Sequence, residues 1–129
     1  MLRFASITYL VHDIDVALDF FVRALGFTVR QDESFANGHR RVEVGPSEGP
    51  GLILAPSTSD VVGRQAGGDV AFFLNTDDFA KQHAHMVANG VVFREEPRTE
   101  SYGTVAIFED LFGMPWDLIE PPKSEHAPS

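Results

Sequence analysis

Cysteine is absent from this chain of 129 residues, which excludes disulfides, thiolate metal sites and a cysteine nucleophile together. Basic side chains are scarce: 10 Lys and Arg stand against 19 Asp and Glu, a formal net charge of -9. No basic cluster exceeds the pair Arg40-Arg41, and a balance of this sign repels phosphate backbones and anionic lipid. Nucleic acid and membrane surfaces are therefore not expected partners, whereas a small organic or cationic molecule is. No apolar run approaches the ~20 residues of a membrane span. The start, Met1-Leu2-Arg3-Phe4, lacks the basic and apolar regions of a signal peptide, so a cytoplasmic protein is expected. Also missing are a Gly-x-Ser-x-Gly elbow, a Walker loop, a Gly-x-Gly-x-x-Gly turn and a His-Glu-x-x-His helix.

What is present suits one packed domain. Hydrophobic residues make up 43% of the chain and 11 of them are Phe, ample for a core at a length where single domains of ~100–150 residues are common. Ile7, Tyr9 and Val11 alternate with Ser6, Thr8 and Leu10, the period of a strand. Asp13 offers an N-cap, and Ile14, Ala17, Leu18, Phe21 and Leu25 recur at helical spacing up to Gly26. Three β-rich runs follow, Phe27–Arg30, Arg40–Val44 and Leu52–Ala55, separated by Asn37-Gly38 and by the stretch from Gly45 to Gly51. That stretch lacks a phosphate-gripping Lys and reads as a hairpin loop.

After a weakly patterned linker at 57–67, the same βαβββ order returns. A strand is expected at Val70–Leu74, a helix from Asp77 to about Ala88, and strands near 91–94, 102–109 and 115–120. Asp13 to Gly26 and Asp77 to Gly90 both span 13 positions, and Gly38/Gly103, Pro50/Pro115 and Pro56/Pro121 each lie 65 apart, the mark of a duplicated unit. The expectation is an α+β domain at 1–122, with module one at 4–56, the linker at 57–67, module two at 68–121 and a frayed tail at 123–129.

Tyr9-Leu10-Val11-His12-Asp13-Ile14, then Ala17-Leu18-Asp19-Phe20-Phe21 and Leu25-Gly26-Phe27, resembles the opening of glyoxalase/bleomycin-resistance/dioxygenase (vicinal oxygen chelate) proteins. Phe108-Glu109-Asp110-Leu111-Phe112-Gly113 with Trp116-Asp117-Leu118-Ile119-Glu120-Pro121 resembles their closing segment. The resemblance implies two βαβββ modules forming a curved mixed sheet with a cleft. It also implies a divalent metal held by His and Glu from the first and fourth strand of each module. On a 65-residue repeat those four places fall on Ser6, Leu52, Ala71 and Asp117, of which only Asp117 is a metal ligand by chemistry. No metal and no other cofactor is therefore expected. The histidines do not replace the set. His83 and His85 lie two apart on a helix and diverge, His12 and His39 sit at turns, and His126 is in the tail.

If those four positions mark the cleft floor, alternation sets Thr8, Leu54, Phe73, Asn75 and Ile119 beside them. Val42, Val44, Val105 and Ile107 then belong to the helix side, and Arg41, Glu43, Ala106 and Phe108 point inward. Asp117 becomes the polar anchor and candidate general base, with Arg41 as a partner for its charge. Arg41, Glu43, Phe73, Asn75 and Phe108 are the ligand-binding candidates, although Arg41 and Glu43 fit a cross-strand charge pair equally well. The function expected is metal-independent binding of a small molecule, a drug-like or cationic ligand sequestered as in antibiotic resistance, by a homodimer. The alternative is a lyase, isomerase or dioxygenase with a non-standard site.

Overall fold

The computed structural model describes residues 1–123, so the tail lies outside the described residues except for Lys123. The first module runs β1 (Ser6–Val11), α1 (Ile14–Asp19) with a π-helical turn over Phe20–Ala24, β2 (Thr28–Ser34), β3 (Arg40–Gly45) and β4 (Gly51–Pro56). The second runs β5 (Phe72–Asn75), α2 (Phe79–Ala88), β6 (Val92–Phe93), β7 (Arg98–Glu100), β8 (Gly103–Glu109) and β9 (Pro115–Glu120). Two separate mixed sheets result, ordered β1-β4-β3-β2 and β5-β9-β8-β6, with β7 also on β8. In each, the first and last strands of the module pair in parallel and the others are antiparallel.

Local chemistry explains the elements. The Asp13 side chain accepts from the Val16 N–H and caps α1, and the Asp78 side chain accepts from Lys81 N–H and caps α2. The second cap is Asp78, one residue later than the expected Asp77. Both helical segments close on glycines with positive φ, Gly26 and Gly90. From cap to glycine the first segment is thus one residue longer than the second. The π turn at Phe20–Ala24 absorbs that residue, because an i→i+5 turn inserts one position without ending the helix.

This shift matters downstream. Tyr9 pairs with Leu54 and Leu74 pairs with Leu118, so the first strands of the two modules differ by 65 positions and the last strands by 64. A constant period therefore inverts one strand. Leu52 and Leu54, expected on the same face as Asp117, lie on the core face, and Ile53 stands where Asp117 does in the other module. Ala106 and Phe108 likewise face the core, Phe108 at 0% exposure, while Val105 and Ile107 share the Asp117 face. Phe108 is thereby corrected from a ligand-binding candidate to a core residue.

The helix-covered faces of both sheets enter one shared core. Tyr9 and Phe21 from module one pack against Trp116 of module two, and Trp116 stacks on Phe72 and Phe108. Burying such aromatic surface is worth several kcal/mol per side chain by area. The linker is docked, with Val62 buried, and Gly63 at φ +83° where a Cβ would meet the Phe112 carbonyl. Gln65 takes the Leu10 N–H with its side-chain oxygen and gives an N–H to the Thr8 carbonyl at 3.0 Å, closing the free edge of β1.

Candidate functional site

With both helix faces used in the core, chemistry is left to the outer faces of the sheets. On the second sheet the register sets Phe73 opposite Asp117, Asn75 opposite Ile119, Ile107 opposite Asp117 and Arg98 opposite Val105. Phe73, Asn75 and Asp117 thus share one face, and Phe73 is 63% exposed. Arg98 and Glu95, which the sequence did not single out, are the charged groups that act on Asp117.

Glu95 is fixed by the break between β6 and β7. Its Oε2 accepts the Ile107 N–H at 2.8 Å in place of a strand, and its Oε1 accepts Arg98 Nε at 3.0 Å. The hydrogen bond from Arg98 holds the Glu95 carboxyl below the ordinary range. Arg98 Nη1 also donates to Glu100 Oε2 at 2.5 Å and to the Tyr102 hydroxyl at 3.4 Å. One guanidinium is therefore shared among two carboxylates and a phenol.

Asp117 has no such support. It is 7% exposed, and its Oδ1 is the one buried side-chain polar atom without a hydrogen-bond partner among the described residues. Burial pushes its carboxyl above the ordinary range; Arg98 opposes this and Glu95 adds to it. An unsatisfied buried acceptor costs about 1–3 kcal/mol.

Arg41 and Glu43 belong to the first sheet. Arg41 Nε donates to Gln31 Oε1 at 3.0 Å, and Glu43 pairs with Arg30 at 3.5 Å. Arg41 is therefore not the partner of Asp117 within the chain, because the two stand on different sheets; Arg98 is the nearby cation. Where the two sheets meet, a cleft of about 610 Å³ opens on their core side, lined by Ile7, Leu52, Phe72 and Trp116 with Phe73, Asn75 and the loop of residues 46–50; Asp117 is not in its lining. That size suits a drug-sized molecule, commonly ~300–1,000 Å³.

The donor set does not fit a divalent metal. The face-matched positions carry Ser6, Ile53, Ala71 and Asp117, and among the described residues no group of three His, Asp or Glu comes together. His83 lies between Phe79 and Phe93 with ring centroids 5.5 and 4.3 Å away, and the His85 Nε2 meets the Arg23 carbonyl at 2.9 Å.

A signal for Arg98 exists in the alternation Arg98-Thr99-Glu100 before Gly103. Pro97 and the flanking Glu95-Glu96 disguise it as loop.

The profile of the Glyoxalase/Bleomycin resistance protein/Dioxygenase superfamily matches residues 3–118. An uncharacterized protein of Shewanella frigidimarina is 44% identical over 121 residues, 88% of this chain and 90% of its own. Among solved structures, TnmS3, an antibiotic binding protein from Streptomyces sp. CB03234, aligns with a TM-score of 0.76 at 25% identity, covering 94% of this chain and 98% of its own. UcmS2 aligns with a TM-score of 0.76 at 26% identity, covering 93% and 99%. No described helix is long and apolar enough to cross a membrane.

Proposed function

Because the chain belongs to the Glyoxalase/Bleomycin resistance protein/Dioxygenase superfamily, we propose that it works there as a metal-independent binder of a small organic molecule, sequestering a drug-like ligand. One observation carries this reading: the Asp117 carboxyl, buried and without a hydrogen bond to its Oδ1, is paired in register with the exposed ring of Phe73. That combination is a polar anchor next to an aromatic platform, the usual composition of a ligand site. The likeness to an antibiotic binding protein supports the ligand class. Metal independence rests on the side chains at Ser6, Ile53 and Ala71, which offer no imidazole or carboxylate. The net charge of -9 favours cationic over anionic molecules at long range.

The reading includes a homodimer and a cytoplasmic location. Phe4 and Phe73 are exposed, so a second copy that sets its first sheet against the second sheet would cover Phe73 and bring Arg41 and Glu43 to the face that carries Asp117. Mass measurement in solution tests the dimer, with twice 14.2 kDa expected. A second reading has its own support: a desolvated carboxyl with a raised pKa suits a general base, so Asp117 also fits a proton-abstracting lyase or isomerase.

The experiment is metal analysis of protein purified without chelators, followed by thermal-shift screening of planar and cationic drugs. Substoichiometric metal together with saturable stabilisation is expected. Stoichiometric, tightly held metal, or turnover that depends on added divalent ion, would overturn the proposal.

A further inference from the structure

Asp110 and Asp117 are 5% and 7% exposed and sit in opposite chemical surroundings. Asp110 accepts from four donors: the Tyr9 hydroxyl, Trp116 Nε1–H at 3.0 Å, Phe112 N–H at 2.8 Å and Met114 N–H at 3.0 Å. Such a nest holds an ionised carboxylate or its hydrogen-bonded equivalent. Asp117 Oδ1 has none.

The elements packed on Asp117 explain why a donor is missing. From β8 comes Ile107, from β5 comes Phe73, and farther along that face lie Val105, Ile119 and Asn75. The titratable and charged groups that face it are Arg98 from β7 and Glu95 from the turn before it. Arg98 commits Nε to Glu95 and Nη1 to Glu100 and Tyr102, and none of its hydrogen bonds goes to Asp117.

Resting on the small-molecule reading above, we propose that Asp117 meets its ligand as a neutral carboxylic acid, donating its O–H to a carbonyl-type acceptor of an uncharged planar molecule that lies on Phe73. An ionised carboxylate in this wall would lose its water without gaining a donor, whereas the neutral acid carries its own donor and bears little desolvation cost. The overall acidity of the chain still attracts cations from a distance. Contact at Asp117 selects a different class, because the wall around it is apolar and Arg98 stands nearby as a competing cation. The carboxyl is displaced in the direction this role needs, chiefly by burial.

Three probes of similar shape separate the alternatives: 9-fluorenone (neutral, with a carbonyl), fluorene (the same plane without it) and 9-aminoacridinium (a planar cation). Titration of the full chain by calorimetry or NMR is run for the parent, Asp117→Asn and Asp117→Ala, each first checked for an intact amide spectrum. Fluorenone is expected to bind about tenfold more tightly than fluorene, the worth of one hydrogen bond of this kind. Asp117→Asn should keep fluorenone within about threefold, since an amide N–H still donates, and Asp117→Ala should lose about tenfold. Parent affinity for fluorenone should fall as pH rises through the titration of Asp117, and the Asn variant should not respond. Equal binding of fluorenone and fluorene overturns the proposal, as does a preference for 9-aminoacridinium that grows with pH and vanishes in Asp117→Asn. If none of the three binds, the planar-ligand reading itself fails. The carboxyl-carbon NMR titration still judges the acid: a titration at or below the ordinary Asp value of ~3.9 overturns its neutral state.

Discussion

Asp110 ties the two modules together through one carboxylate. Tyr9 reaches it from β1, 101 positions away in the chain, while Trp116 and two backbone N–H groups of its own turn complete the shell. Burial pushes the Asp110 carboxyl up, its four donors pull it back, and burial pushes the Tyr9 hydroxyl up as well. Asp110→Ala leaves those donors unsatisfied and should cost about 3 kcal/mol or more by urea denaturation, whereas Tyr9→Phe should cost about 1–2 kcal/mol. Asp117 predicts a pH effect of definite sign. Its folded-state pKa is raised, so the folded chain holds that proton more tightly than the unfolded chain does. The resulting stability is fully present below the unfolded value of ~3.9 and is lost as pH rises through the folded value. Asp117→Asn should therefore be more stable than the parent at neutral pH, with the difference closing in acid, as thermal melts across pH 3–8 would show.

Among the elements, β1 is closed by a side chain in place of a strand. The Gln65 amide satisfies Thr8 and Leu10 as a neighbouring backbone would, which also protects the edge from pairing with another chain. Gln65→Ala should speed hydrogen exchange at the Leu10 amide and cost about 1 kcal/mol. At the start of β8, Gly103 sits at φ +135°, where a Cβ would strike the Glu120 carbonyl of β9. Gly103→Ala should lower stability by more than the ~1 kcal/mol typical of a point substitution. The element scale is also where sequence reading stopped. Alternation in β1 and β5, the Asp13 cap and the closing glycines were legible because each is a local signal. The faces of β4, β8 and β9 depend on the π turn at Phe20–Ala24, and no residue type announces it: Phe20-Phe21-Val22-Arg23-Ala24 reads as ordinary helix. A one-residue slip moves every side chain of a strand to the other face, which is why Leu52 and Phe108 were expected on the Asp117 face. Phe73 and Asp117 do share the one face expected of them, because Phe73 lies on a strand whose 65-residue offset is true and Asp117 was itself the reference position on β9. Arg98 was missed because Pro97 and Glu95-Glu96 make its strand read as loop, although its partners Glu95, Glu100 and Tyr102 all lie within four residues of it.

As a whole molecule the protein has one core served by two sheets, so neither module has a hydrophobic interior of its own. Phe72 and Trp116 lie against Tyr9, and Phe21 against Trp116, so separating the modules exposes the largest buried rings of both. Residues 1–56 and 68–123 expressed apart should fail to show dispersed amide spectra. The intact chain should unfold in one transition, coincident by far-UV circular dichroism and amide NMR.

Trp116, the sole tryptophan, also serves as an optical gauge. Its indole is buried, hydrogen-bonded to Asp110 and touching rings from both modules, so its emission should be blue and only weakly sensitive to aqueous quenchers. Its sequence neighbour Asp117 faces the opposite side of β9, where the ligand is expected. A change in colour therefore reports parting of the modules, and a change in brightness without a change in colour reports occupancy on the far side of the same strand.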